Sequence, residues 1–348
     1  MKPRAAAALL AAFVLVSAWW GPTWAGGASE LPKAPSAQPA APPAQPEALA
    51  AQPEALPAQG DSSLFWALAR DGEPVGYLLG TIHSEDPRVL DFAEAFSEQL
   101  SANQTFAMEM VPDLPTLTRL TEYMQYQDGT TLEARIGAER FARLQTALSD
   151  YRVPADWIAR MKVWAAMMTL SVPPPQTGFF MDFSLSLRAA GAGLEVVGLE
   201  TLEQQLSFLE AMPMKQQLAL LDQALDEYDR VEAVHTQMVD SYLAGDLQTL
   251  VSQTEEQLRD LDPEARSYFM EQGIDARNRR MLQALLPLLE AGPVFVAVGA
   301  LHLAGASGLI AGLRSAGYEL IPLPLPLSAP ESRGQAEQGA DDKAGDAP

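Results

Sequence analysis

Tyr77-Leu78-Leu79-Gly80-Thr81-Ile82-His83 is an apolar run that ends in Gly-x-x-His, and Phe295-Val296-Ala297-Val298-Gly299-Ala300-Leu301-His302 repeats the arrangement far downstream. The chain holds three histidines, and these two share one local setting. Each run reads as a buried strand that delivers a histidine just past its end. A glycine there lets the backbone turn tightly or lets another group come close. A side chain at that place in an open α/β sheet points into the crevice where such sheets bind ligands. The two histidines are therefore expected to share one site.

Further short β runs extend the pattern. Leu64–Leu68 and Val75–Leu79 flank Arg70-Asp71-Gly72-Glu73-Pro74, a hairpin signal. Gln104–Glu109, Leu194–Leu199, Val294–Val298 and Tyr318–Leu323 add four more. Between them the apolar spacing predicts helices over Leu90–Ser101, Ala155–Leu170, Met181–Gly191, Leu202–Leu225, Tyr228–Leu261, Arg277–Ala291 and Ile310–Ala316. Ala155–Leu170 is apolar almost all round and reads as a core helix stopped by Pro173-Pro174-Pro175. Strands alternating with helices give an α/β class: a central mixed sheet flanked by helices, with a helical cap inserted between the middle strands. The order strand, Gly-x-x-His, helix, strand occurs at both ends, over 75–109 and 294–323, an echo consistent with internal duplication.

The chain's two ends carry no such pattern. Lys2 and Arg4, the apolar stretch Ala5–Trp20 and Thr23-Trp24-Ala25 form a signal peptide over 1–25. The stretch falls short of the ~20 residues of a bilayer span, so cleaved export to a periplasmic or secreted location is favoured over an uncleaved tether to the inner membrane. Residues 26–61 are rich in Ala, Pro and Gln, with Gln-Pro-Glu-Ala-Leu at 45–49 and 52–56, and read as a spacer. The folded unit spans 62–326, and 327–348 reads as a disordered tail. Net charge −22 argues against nucleic acid and against an electrostatic contact with anionic lipid. The absence of cysteine excludes disulfides and a lipidated-cysteine anchor.

Four strand ends carry side chains suited to metal or proton chemistry: His83, Glu109, Glu200 and His302. A buried carboxylate without a partner costs several kcal/mol, so acids seldom end apolar runs by accident. On parallel neighbouring strands all four would emerge on one edge. Two imidazoles and two carboxylates suit Zn²⁺, Mn²⁺, Co²⁺ or Fe²⁺, with a spare carboxylate as general base. Taken singly, each histidine reads as a core or loop residue. Glu200, which precedes a helix, reads singly as a charge at that helix's N-terminus. Together they read as a site. His235 lies in a polar helix and is read as a surface residue, and Glu85 and Asp86 as helix caps. The chain has no His-Glu-x-x-His, Gly-x-Ser-x-Gly or phosphate-loop motif.

Leu78-Leu79-Gly80-Thr81-Ile82-His83 resembles the opening motif of the TraB/GumN (PrgY, TIKI-like) family, and Val298–Gly305 its closing motif. Met108-Glu109, the Asp182 segment, Gly198-Leu199-Glu200-Thr201 with Gln204, and Arg277-Asn278-x-x-Met281 resemble family features in family order. Animal members of that family are membrane-tethered metal-dependent peptidases. The resemblance implies that His83 and His302 are metal ligands, with Glu109 and Glu200 as ligand or general base. It further implies that Arg277 clamps an oxyanion or carboxylate and that Asn278 positions a partner. The expected function is an exported metal-dependent hydrolase, foremost a peptidase acting on a peptide or protein with Mn, Co or Zn. The alternatives are a non-catalytic periplasmic binding or regulatory protein, and a metal-independent esterase-like hydrolase.

Overall fold

A computed structural model describes residues 62–328; the expected signal peptide and spacer, and all but the first two residues of the expected tail, lie outside them. The strands are β1 (Phe65–Arg70), β2 (Glu73–Thr81), β3 (Thr105–Met108), β4 (Glu195–Gly198), β5 (Val294–Gly299) and β6 (Glu319–Leu323). They form one mixed sheet in the order β4-β3-β5-β2-β1-β6. Strands β4, β3, β5 and β2 run parallel, while β1 is antiparallel to both β2 and β6. The β1–β2 hairpin turns on Asp71 and Gly72, with φ of 53° and 80°. Two consecutive left-handed residues make the tight turn that matches strand twist, which is why Asp-Gly stands there.

The two motif strands β2 and β5 are direct neighbours, with Thr81 opposite Gly299. Strand β5 is buried throughout, as expected of a central parallel strand covered on both faces. Phe295 on it packs against Phe65, Tyr77, Phe96 and Phe106. Neither motif glycine has a left-handed backbone. A Cβ on Gly80 would come within 3.1 Å of the Ala300 Cα, so this glycine serves close approach of the second motif rather than a turn.

Parallel strands need long crossovers, and here the crossovers carry the helices. Met181–Gly191 and Ala276–Ala291 form close to where expected, the latter preceded by a π-helical turn over Phe269–Asp275. Three long helices expected from periodicity are broken. Ala155–Leu170 divides into Ala155–Arg160 and Val163–Leu170, because Met161 pairs with Gln125 in an antiparallel bridge. There Tyr126 N–H donates to Arg160 O and Lys162 N–H to Met124 O, each at 2.8 Å. Leu202–Leu225 splits at Pro213, which lacks the N–H needed to continue a helix. The 228–261 stretch becomes Val231–Leu243 and Leu247–Leu258, separated by Gly245 at φ 71° and capped by Asp246.

Two apolar cores result. One lies on the sheet and includes Leu78, Val296 and Phe106. The other is helical, built around Trp164, Met167, Leu206 and Leu221. Met110, Leu202 and Leu301, each just past a parallel strand, belong to the helical core. The cap therefore sits over the C-terminal edge of the sheet. Among the described residues no helix is long and apolar enough to cross a membrane.

Candidate active site at the strand ends

Strands β3 and β4 stay paired past their ends: Leu199 N–H donates to Met108 O and Glu200 N–H to Glu109 O, both at 2.8 Å. This sets Glu109 and Glu200 side by side, both buried. Arg277, with no exposed surface, bridges them. Its Nε donates to Glu200 Oε2 at 2.7 Å and its Nη2 to Glu109 Oε2 at 2.6 Å. Arg280, one helical turn further on, reaches Glu200 Oε1 with Nε at 3.3 Å and Nη2 at 3.2 Å. Glu109 also accepts from Gln205 Nε2 at 3.2 Å and from the Gly299 N–H at 2.8 Å. Burial alone would raise the Glu109 carboxyl. The charge of Arg277 and the Gly299 amide outweigh burial and hold it below its ordinary value. Arg277 is likewise held fully charged against burial by its two carboxylates.

His302 completes this group. Its Nδ1 faces Asn278 Oδ1 at 2.6 Å, so the proton belongs on Nδ1, donating to the amide oxygen. Its Nε2 lies 3.7 Å from Glu109 Oε1 and is buried with no hydrogen-bond partner. Burial pushes this imidazole down to about 4, Glu109 pulling the other way and Arg277 adding to the fall. A histidine lowered in the fold binds its proton first in the unfolded chain. Stability is thus full above the ordinary value of 6.5 and is lost as pH falls from there toward about 4. In metal-free protein this one residue accounts for a loss of about 2–3 kcal/mol across that window. Urea midpoints measured in chelator should fall accordingly, and His302→Gln should flatten the fall.

His83, at the end of β2, is held by a different set. Its Nδ1 is 3.8 Å from Asp182 Oδ2, and Thr81 Oγ1 donates to Asp182 Oδ1 at 2.6 Å. Phe180 stacks on the ring at 3.8 Å between centroids, 10° from parallel. His83 and Phe180 line a cleft of about 340 Å³ with Pro173–Pro175, Glu232 and His235. The surface assignment of His235 does not hold: its Nε2 lies 3.4 Å from the His83 carbonyl oxygen, and burial pushes its imidazole below the ordinary value. Asp86 does cap a helix, through Arg88 N–H. Glu85 does not. It accepts from the N–H groups of Gln176, Thr177 and Gly178 and fixes the cleft's rim.

The expected residues therefore fall on one edge in two groups. Glu109, Glu200, Arg277, Asn278 and His302 form one network, and His83 sits at the neighbouring strand end. Three residues of the site carry no assignment from the sequence: Asp182, named only within its segment, Phe180, and Gln205. Gln204, the motif residue, instead closes a capping box with Thr201. A buried acid in the first turn of an apolar helix is the available signal for Asp182.

The model of the TraB/PrgY/gumN family matches residues 64–322, nearly all of the described chain. The chain belongs to the TraB/PrgY/gumN family. Both Gly-x-x-His strands, Glu109, Glu200 and Arg277 lie within the matched span. Among curated relatives, this TraB-family chain is 26% identical to Metalloprotease TIKI1 of Danio rerio over 74% of its own length and 63% of the relative's. It is 24% identical to the Metalloprotease TIKI homolog of Nematostella vectensis over 74% and 66%. It is 25% identical to Metalloprotease TIKI1 of Homo sapiens over 74% and 61%. The chain thus spans less than two thirds of the length of these relatives. No solved structure matches it.

Proposed function

We propose that this TraB-family protein is an exported metal-dependent hydrolase of peptides or proteins, with its reacting centre at Glu109 and His302. The observation that carries the reading is the buried His302 Nε2, without a hydrogen-bond partner and opposite the Glu109 carboxylate at 3.7 Å. The names of the TIKI relatives supply the substrate class and the metal dependence. Export rests on the N-terminal sequence alone.

The donors fit a divalent cation in part. Among the described residues no three His, Asp or Glu side chains gather as a metal-binding group. His302 Nε2 and Glu109 Oε1 offer one nitrogen and one oxygen facing each other, and His83 at the adjacent strand end is the remaining candidate ligand. Glu200 fits less well, since each of its oxygens is held by an arginine, Arg277 or Arg280, whereas Glu109 Oε1 accepts from the Gly299 amide and faces His302. A bound cation would lower the pKa of a water and polarise a carbonyl. The protein's own groups do the rest. Asn278 fixes the His302 tautomer. Glu109, kept ionised, can accept a proton from water. Arg277, buried and paired with both glutamates, holds Glu109 in place and ionised rather than meeting the substrate itself. The cleft beside His83, with its proline wall, receives the substrate chain.

The test is metal content and hydrolysis together. Purified protein incubated with Mn²⁺, Co²⁺ or Zn²⁺ should retain metal and cleave an unfolded protein substrate, and both should disappear in chelator and in His302→Ala. Protein that retains no metal and is indifferent to chelator would sink the reading. A non-catalytic binding module is the second reading, favoured by the two opposed donors where a catalytic metal usually has three. Metal retention without turnover of any substrate would select it.

A further inference from the structure

We propose that Asp182 is the positioning residue of His83, fixing the imidazole with its proton on Nδ1 so that Nε2 is the nitrogen offered to the site. The catalytic meaning of this rests on the function proposed above. Its geometry does not.

Asp182 is 6% exposed. One of its oxygens, Oδ1, accepts a hydrogen bond from the Thr81 hydroxyl at 2.6 Å. The other, Oδ2, is buried with no hydrogen-bond partner and stands 3.8 Å from His83 Nδ1. A buried carboxylate oxygen is costly unless it faces a donor, and an N–H on His83 Nδ1 is the donor this oxygen faces. The ring cannot swing freely, because Phe180 stacks on it almost parallel. The clamp is built from the same strand it serves: Thr81 closes β2, two residues before His83. Asp182 lies in the first turn of the Met181–Gly191 helix, where the helix dipole favours a negative charge. That helix start is tied to the strand end by Met181 N–H donating to Ser84 O at 3.1 Å.

His302 offers the closer parallel, on a different helix. Asn278 Oδ1 meets its Nδ1 at 2.6 Å, leaving Nε2 toward Glu109. Each Gly-x-x-His histidine thus has its Nδ1 facing an Asx side chain on a flanking helix, at 3.8 Å for His83 and 2.6 Å for His302. A partner of this kind fixes both tautomer and ring direction of a histidine that works through Nε2. A purely structural Asp182, serving only as a charge in its helix's first turn, would not require the proton of His83 to sit on Nδ1.

The full chain, with nitrogen-labelled histidine and held metal-free at mildly alkaline pH, reads this directly by long-range proton–nitrogen correlation, with His83 assigned through His83→Gln. The expected result is a protonated Nδ1 and a bare Nε2 on His83. Asp182→Ala should scramble that tautomer while leaving His302 unchanged. Asp182→Asn, whose amide oxygen can still accept, should preserve it. In parallel, Co²⁺ affinity should drop about 10–100-fold in Asp182→Ala and less in Asp182→Asn. A wild-type His83 protonated on Nε2 overturns the proposal, as does a folded Asp182→Ala whose His83 tautomer is unchanged. If Asp182→Ala does not fold, the wild-type tautomer and Thr81→Val, which removes only the clamp, decide it. Wild-type protein that binds no Co²⁺ at all would end the metal reading and leave the tautomer result to stand by itself.

Discussion

Replacing Arg277 with methionine should lower the free energy of unfolding by about 3–5 kcal/mol, the range for breaking a buried ion pair by removing one partner. Arg277 neutralises two carboxylates in a place without solvent. Methionine fills much of the volume but leaves Glu109 with only neutral donors and Glu200 with Arg280, which is part-exposed. Arg277→Lys should recover little. The native contacts hold Glu200 with both Nε and Nη2 and Glu109 with Nη2, and a single ammonium on a flexible stem cannot reproduce that fork. Urea unfolding near neutral pH checks both variants. A loss below about 1 kcal/mol in Arg277→Met would mean that the carboxylates are not paired as described.

Glu109→Gln and Glu200→Gln should part company. The two glutamates look alike in sequence, each ending an apolar strand, but only Glu109 touches His302. Glu109→Gln keeps an acceptor for the Gly299 amide and removes the proton-accepting carboxylate, so turnover should fall by about 10²–10⁴-fold, the range for losing a general base. Glu200→Gln weakens the hold on Arg277 and should act mainly on stability, with turnover per folded molecule within about tenfold of wild type. The measurement is kcat on active-site-normalised protein beside an unfolding curve for each variant. Equal losses of turnover in both would return Glu200 to the reacting centre.

Much of this arrangement is legible in the amino-acid sequence. Apolar runs punctuated by glycine, spaced by helical stretches, leave few options besides a sheet with parallel strands, and parallel strands put their ends on one edge. His83, Glu109, Glu200 and His302 follow from that alone. How charge is distributed among them is not legible. Arg277 and Glu109 are brought together across most of the fold, and no local pattern records which acid an arginine will meet. A partial signal exists in the spacing of Arg277 and Arg280, which share a helix face and so can grip one carboxylate. His235 departs from expectation because a polar helix usually faces water, whereas this one turns one residue toward the back of His83. The break at Met161 is tertiary in origin: nothing in Arg160-Met161-Lys162 stops a helix, and only the bridge to Gln125 does so.

Strand β5 lies between β2 and β3, although it is made long after both. Until residues 294–299 are synthesised and inserted, β2 and β3 have no common neighbour, Glu109 lacks its backbone donor, and His302 does not exist. A ribosome-bound or truncated chain therefore carries His83 and both glutamates yet holds no assembled centre. Long-range pairing of this kind is slow to form, so the site assembles late in folding. The centre is complete only once β5 stands between β2 and β3.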